Sequence, residues 1–239
     1  MTSASQRRMG RRDFVSLTVK GAGAVGFAIV GGKFLVERLG GIPPDVRTQT
    51  ADPRAWVMVI DLDRCDGCGV CTTACRNTHD VPDGQEWIKI YEVNEPDGAH
   101  YFLPRPCMHC DNAPCVAVCP VNATFRRDDG LVLIDRDVCI GCGYCIEACP
   151  YGARHLNPVQ KTADKCTLCA HRLEAGQGPA CVATCIGGAL TVGDLNDPES
   201  DVSQLLAQYP VATLKPEQGT DPMFFYIALD GRLVQGATP

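Results

Sequence analysis

The chain has 239 residues, a formal charge of −6, and 16 Cys against only 5 His. That length allows one or two cored domains, and so much cysteine excludes a core built by apolar packing alone. The charge is uneven, with seven Lys or Arg against two Asp or Glu in residues 1–40 and a strongly acidic remainder, which argues against a nucleic-acid partner.

Residues 1–40 read as an export signal. Arg11-Arg12-Asp13-Phe14-Val15 resembles a twin-arginine motif and precedes a Gly-rich, weakly apolar stretch from Val25 to Val36. That stretch is too short and interrupted for a comfortable membrane span and fits a signal segment. No Ala-x-Ala site follows, so the segment is either cut near Gly40 or kept as a tether. The expected location is the periplasm or the outer face of the cytoplasmic membrane. Residues 41–53, with Pro43, Pro44 and Pro53, read as a linker. No later run is apolar enough to span a membrane, so a soluble body is expected.

An apolar run, Trp56 to Ile60, predicts a strand feeding the first cysteine group, Cys65, Cys68, Cys71 and Cys75. Trp87 to Val93 alternates in part and predicts another strand. The second group is Cys107, Cys110, Cys115 and Cys119. Phe125 to Leu131 carries the Asp-Gly signal of a hairpin turn, and Leu131 to Ile134 predicts the strand entering the third group, Cys139, Cys142, Cys145 and Cys149. The fourth is Cys166, Cys169, Cys181 and Cys185, and Met223 to Leu229 predicts a strand in a C-terminal extension. One helical turn is expected between Cys71 and Cys75 and at the equivalent places. The fold class is α+β.

The groups form an internal repeat. Residues 60–75 and 134–149 share the pattern I-D-x-D-x-C-x-G-C-G-x-C-x-x-A-C. Cys115-Val116-Ala117-Val118-Cys119 likewise matches Cys181-Val182-Ala183-Thr184-Cys185, each preceded by a C-x2-C pair. The motif order is therefore A-B-A-B.

Both type-A motifs read C-x2-C-x2-C-x3-C, the spacing of bacterial ferredoxins. Three cysteines in a tight loop reach three irons of a cubane, and the fourth ligates the neighbouring cluster. Gly67, Gly69, Gly141 and Gly143 allow positive φ and close backbone approach. Cys119 and Cys149 precede Pro, as the ferredoxin pattern requires; Cys75 and Cys185 do not. Sixteen thiolates fill four 4Fe–4S clusters with none left over. Eight disulfides suit these close spacings poorly, zinc sites rarely repeat them, and ordinary buried cysteines do not explain the repeat. His109, inside the Cys107–Cys110 loop, either tunes a cluster through a hydrogen bond or, the preferred reading, sits at the surface. His79, His100, His155 and His171 show no ligand spacing. Lys165 and Arg172 flank Cys166 and Cys169 and can offset cluster charge. The chain shows no phosphate loop, nucleophile elbow or catalytic carboxylate pair.

Over about residues 52–195 these four groups resemble the iron–sulfur (beta) subunit of molybdopterin oxidoreductases of the dimethyl sulfoxide reductase family. Within it, Leu103-Pro104-Arg105, residues 110–115, Ala123-Thr124-Phe125, residues 162–166, His171 to Gly176 and Leu214 to Glu217 look most like tetrathionate reductase beta subunits. Thiosulfate, polysulfide, arsenate and formate-dependent nitrite reductase systems have similar subunits. The resemblance implies two ferredoxin-like domains nested in sequence: an outer one from residues 54–103 and 160–195, an inner one from residues 104–159, then an extension, 196–239. The repeat alone also allows a tandem order; the prolines after Cys119 and Cys149 favour nesting. Carried over residue by residue, the family's ligand sets are Cys65, Cys68, Cys71 and Cys185; Cys166, Cys169, Cys181 and Cys75; Cys107, Cys110, Cys115 and Cys149; and Cys139, Cys142, Cys145 and Cys119. The implied role is electron relay between an integral membrane quinol-oxidising subunit and a molybdopterin catalytic subunit that reduces a sulfur oxyanion, this chain not being the catalytic one. A freestanding polyferredoxin is the alternative.

Overall fold

The computed structural model describes residues 54–95 and 98–229; the signal and linker readings lie outside them. In chain order the strands are β1 (Trp56–Asp61), β2 (Lys89–Asn94), β3 (His100–Arg105), β4 (Thr124–Arg126), β5 (Val132–Ile134), β6 (His155–Leu156), β7 (Ala163–Asp164), β8 (Leu190–Asp194), β9 (Val211–Ala212) and β10 (Phe224–Ile227). The α-helices among them are α1 (Val70–His79), α2 (Pro114–Ala117), α3 (Tyr144–Glu147), α4 (Ala170–Glu174), α5 (Ala180–Ala183) and α6 (Asp201–Gln208). This is the mixed α+β architecture expected. Among the described residues no helix is long and apolar enough to cross a membrane.

A four-stranded sheet, ordered β8-β1-β10-β9, is the mechanical base. Its middle strand β1 pairs antiparallel with β8 and parallel with β10. Successive side chains of a strand point to opposite faces, and both faces of β1 are covered. Met58 and Ile60 join Phe224, Tyr226, Trp87 and Leu103 in the main core, whereas Val57 and Val59 meet Val202 of α6 and Ile227. Double burial explains why Trp56 to Ile60 is an unbroken apolar run without polar alternation. Helix α6 starts where Ser200 accepts a hydrogen bond from the Ser203 N–H at 3.3 Å, satisfying one free donor of its first turn.

The other strands form two-stranded ladders, β2 with β3, β4 with β5 and β6 with β7, all antiparallel. The predicted hairpin is β4–β5, turning through Gly130 at φ +88°. The strand predicted from Trp87 starts two residues later, at Lys89, because Trp87 and Ile88 are fully engaged in the core. The repeated Ile-Asp has a local purpose: Asp61 Oδ1 accepts from the Asp63 N–H, and Asp135 Oδ1 from the Asp137 N–H. Each turns the chain out of its strand and into the cysteine loop.

Two elements depart from the sequence reading. Helix α1 runs ten residues instead of a single turn. Helix α1 runs on through Arg76 until Asp80 turns left-handed at φ +50°; α2 and α3 stop short of cysteines that precede Pro, where helical backbone is disfavoured, but α5 is equally short although Ile186 follows Cys185. The C-terminal strand, moreover, is central to the sheet. The segment leading to it also clasps the second and third cysteine groups: the Asp111 N–H donates to Asp221 O at 2.8 Å, Met223 N–H to Met108 O at 3.1 Å, and Lys215 Nζ to Pro150 O at 2.8 Å.

Phe224, fully buried between sheet and cysteine loop, tests this placement. Phe224→Ala is expected to lower stability by about 3–5 kcal/mol. Thermal unfolding would read it, and a shift near zero would mean that the C-terminal strand lies outside the core.

Candidate metal centres

Each cysteine group opens with a C-x2-C loop, and the residue before the second cysteine is left-handed in all four: Gly67 at φ +73°, His109 at +44°, Gly141 at +67° and Leu168 at +52°. Gly69 and Gly143, one residue further on from the second cysteine, are also left-handed, at +74° and +81°. This backbone shape turns successive N–H groups to one side and makes a concavity for an anion. Glycine adopts it freely, but a residue with a Cβ loses about 1–2 kcal/mol there. His109 and Leu168 are held in it by packing, with 0 % and 1 % of their surfaces exposed.

The preferred reading of His109 as a surface residue is therefore corrected. Its Nδ1 accepts the Val132 N–H at 3.0 Å, and its ring stacks on Phe224 at 5.7 Å. Burial, with the Lys165 and Arg154 cations nearby, holds its pKa well below the usual range, so the ring is neutral.

The four loops gather their sulfurs as follows. Cys65, Cys68, Cys71 and Cys185 line one pocket, with Ile90, Pro104 and Leu190. Cys107, Cys110, Cys115 and Cys149 line another, with Met108, Tyr151 and Arg154. Cys75 on α1 lies in electrostatic reach of Cys166, Cys181 and Cys169, because α1 packs against α5. For Cys119, Cys139, Cys142 and Cys145 the contacts are less direct. Helices α2 and α3 touch, and Cys139 and Cys145 share a small core with Val132 and Ala163. None of the sixteen forms a disulfide. Among the described residues no three His, Cys, Asp or Glu side chains converge on a point that would hold a single ion. Thiols spread around a pocket wall suit a cubane with an iron at each of four corners.

Burial pushes the Cys71 thiol up to about 11 and the Cys110 and Cys166 thiols up to about 12. Cys75 and Cys181 are raised further, by burial and by the neighbouring sulfurs. Such groups are thiols near neutrality unless a cation claims them, so loading iron must release protons. Donors already point at the sulfurs. The Leu168 N–H reaches Cys166 Sγ at 3.3 Å, Ala189 N–H reaches Cys185 at 3.2 Å, Ala163 N–H reaches Cys139 at 3.4 Å, and Thr124 N–H reaches Cys119 at 3.5 Å. At the half-exposed Cys119, where burial raises the pKa, such backbone bonds prevail and lower it.

Two side chains near sulfur go beyond what the cysteine motifs predict. His79 Nε2 lies 3.1 Å from Cys169 Sγ, its own pKa depressed to about 4 by burial and by His171. Its one sequence signal is spacing: four residues after Cys75, it shares that cysteine's helical face. Arg154, 4 % exposed, donates from Nη2 to Cys115 Sγ at 3.0 Å and from Nη1 to Thr124 Oγ1 at 3.2 Å. Lys165, expected beside Cys166, is 1 % exposed, with Nζ on the carbonyls of Val132 and Cys166. Arg172 bonds Gly178 O at 2.8 Å and adds positive charge near Cys169.

A family model described as a 4Fe-4S dicluster domain matches residues 99–195, and a second of the same description matches residues 64–123. Over 186 residues the chain is 48 % identical to a tetrathionate reductase subunit of Salmonella typhimurium, covering 75 % of this chain and 74 % of that protein. It is 43 % identical over 203 residues to a putative dimethyl sulfoxide reductase iron-sulfur subunit of Halobacterium salinarum, covering 71 % of this chain and 78 % of that protein. A selenate reductase subunit of Mesobacillus selenatarsenatis is 36 % identical over 296 residues, covering 95 % of this chain and 100 % of that protein.

A pair of glycine substitutions separates backbone strain from crowding. A Cβ at Gly143 meets open space, whereas one at Gly141 strikes the backbone carbonyl of Lys161. Gly143→Ala is expected to cost about 1–2 kcal/mol and keep its iron. Gly141→Ala is expected to lose the cluster of its loop, about four irons per chain. Iron analysis with thermal unfolding checks both.

Proposed function

The chain belongs to the iron–sulfur (beta) subunits of the dimethyl sulfoxide reductase family of molybdopterin oxidoreductases, and from that premise we propose a wire of four 4Fe–4S sites. As a member of that family it binds 4Fe–4S clusters and serves electron transfer beside a catalytic subunit. The finer reading is that all sixteen cysteines are ligands, in the four sets given above, with the Cys107–Cys119 and Cys139–Cys149 groups nested inside the other two.

The observation that carries this reading is a linear neighbour relation among the sulfurs. Cys71 of the first set lies in reach of Cys181 of the second and adds to the charge around Cys75. Cys166 of the second set is influenced by Cys107 of the third. Arg154 spans Cys115 of the third and Cys145 of the fourth. The two exposed cysteines, Cys68 and Cys142, fall in the two outermost sets, where an electron must enter and leave. Bound clusters supply one-electron storage at potentials set by charge, hydrogen bonding and exposure. The protein's share is to hold the thiolates, donate N–H groups to them and keep water from the inner sites. The segment Leu214 to Met223 serves the last purpose. Tyr151 Oη bonds Thr220 Oγ1 at 2.5 Å and Leu214 O at 3.2 Å over the third set.

The proposal extends to the partners and the compartment. One outer site receives electrons from an integral membrane quinol-oxidising subunit, and the other passes them to a molybdopterin subunit acting on a sulfur oxyanion. The 48 % identity to a tetrathionate reductase subunit supports that substrate class. Arg11-Arg12 supports twin-arginine export of the chain with its clusters already folded in.

Anaerobically loaded protein is expected to contain close to sixteen irons per chain; a far smaller number would sink the four-site reading. Cys75→Ala is expected to abolish the spectroscopic signal that Cys181→Ala also abolishes, and to spare the one lost in Cys65→Ala. If Cys75→Ala instead removes the Cys65 signal, the ligand exchange between groups is wrong.

A further inference from the structure

Two of the buried cations, Lys165 and Arg154, act on cysteine sulfurs and have no carboxylate partner among the described residues. Lys165 is 1 % and Arg154 4 % exposed. Among the described residues neither forms a salt bridge; the nearby Asp164 is engaged by Arg136 at 2.8 Å and Asn157 at 3.1 Å. Removing a charge from water is costly unless an opposite charge answers it. The groups that answer these two, once a bound cluster makes them thiolates, are cysteine sulfurs. Arg154 donates to Cys115 Sγ at 3.0 Å and also feels Cys107 and Cys145. Lys165 acts on both Cys115 and Cys166. Its ammonium is fixed by the carbonyls of Val132 and Cys166, so it cannot swing away.

Their placement is selective. Lys165 stands where the second set meets the third, and Arg154 where the third meets the fourth. At the junction of the first and second sets the neighbours are Cys71, Cys75 and Cys181, which only repel one another. The first set does have Arg64 on its pocket wall, but that residue is exposed and its charge is screened by water and salt. The third set alone is touched by both buried cations. Adding one electron to a site makes it more negative by one unit and breaks no bond, so a fixed positive charge favours the reduced form.

We propose that Arg154 and Lys165 are electrostatic positioning residues that give the Cys107–Cys110–Cys115–Cys149 site the highest reduction potential in the chain, making it the resting place of an electron in transit. This rests on the four-site reading and adds to it an order of potentials. His109, neutral and packed in the same loop, shapes that site without contributing charge.

Potentiometric titration of the iron-loaded full chain, followed by electron paramagnetic resonance, tests it. The relevant signal is the one missing from Cys149→Ser. Lys165→Met keeps the buried stem and removes the charge; Arg154→Gln removes the other. Each is expected to disfavour reduction of that signal about tenfold, a downward shift of about 59 mV for one electron, while the signal lost in Cys65→Ala stays in place. Arg154→Lys is expected to restore most of the shift. Unchanged potentials at full iron content, an equal shift of all four signals, or a third-set potential below the others in the native chain would overturn the proposal. If Arg154→Gln fails to hold iron, Lys165→Met decides alone, because its unshifted signal is sufficient to refute it. An iron content far below sixteen in the unaltered chain would instead overturn the four-site reading beneath it.

Discussion

A thiolate taken out of water beside three others is penalised twice, by desolvation and by repulsion, and most of this molecule is arranged around that difficulty. The raised pKa values of Cys71, Cys110 and Cys166 express it directly. Iron is the main remedy, but the protein supplies others before any metal arrives. The left-handed residue in each C-x2-C loop turns N–H groups inward. Strand starts lend further donors at Thr124 and Ala163, and Ala189 does so just ahead of β8. Buried cations stand where adjoining sets come near each other.

The four cysteine groups were legible because loop spacing is a local property, confined to a few residues and repeated twice; their role as ligands remains the proposal made above. The strands at Trp56 and Val132 were legible as apolar runs, and Gly67 and Gly141 through the conformational freedom of glycine. What escaped depends on distant partners. His109 and Leu168 take the same backbone shape as those glycines, yet nothing in their identity says so, since the core around them holds the turn. Arg154 meets Cys115 across 39 residues and His79 meets Cys169 across 90, separations that no motif encodes. The length of α1 was readable in principle. The absence of proline after Cys75 leaves room for a longer helix, and that helix carries His79 to the loop of Cys166 and Cys169.

The same logic gives the C-terminal segment its meaning. Strand β10 pairs with β1, which delivers Cys65 to the first loop. Just before β10, Met223 and Thr220 are bonded to the loop that holds Cys107 and Cys110. One sheet therefore anchors both the first and the third cysteine sets. Tyr226, with its hydroxyl on Pro104 O at 3.0 Å, ties β10 to β3 as well. A set of electron carriers needs constant separations more than it needs an adaptable pocket, and a strand shared by two sites provides them.

That rigidity bears on where substrate choice resides. Relatives named for tetrathionate, dimethyl sulfoxide and selenate reductases align over most of their length with this chain. The two well-defined pockets described here are walled by four cysteines each, so a cluster would occupy the space a substrate would need. On the reading proposed above, discrimination among substrates falls to a catalytic partner. This chain's freedom to adapt lies in its potentials, and the groups best placed to set them are cations such as Arg154 and Lys165.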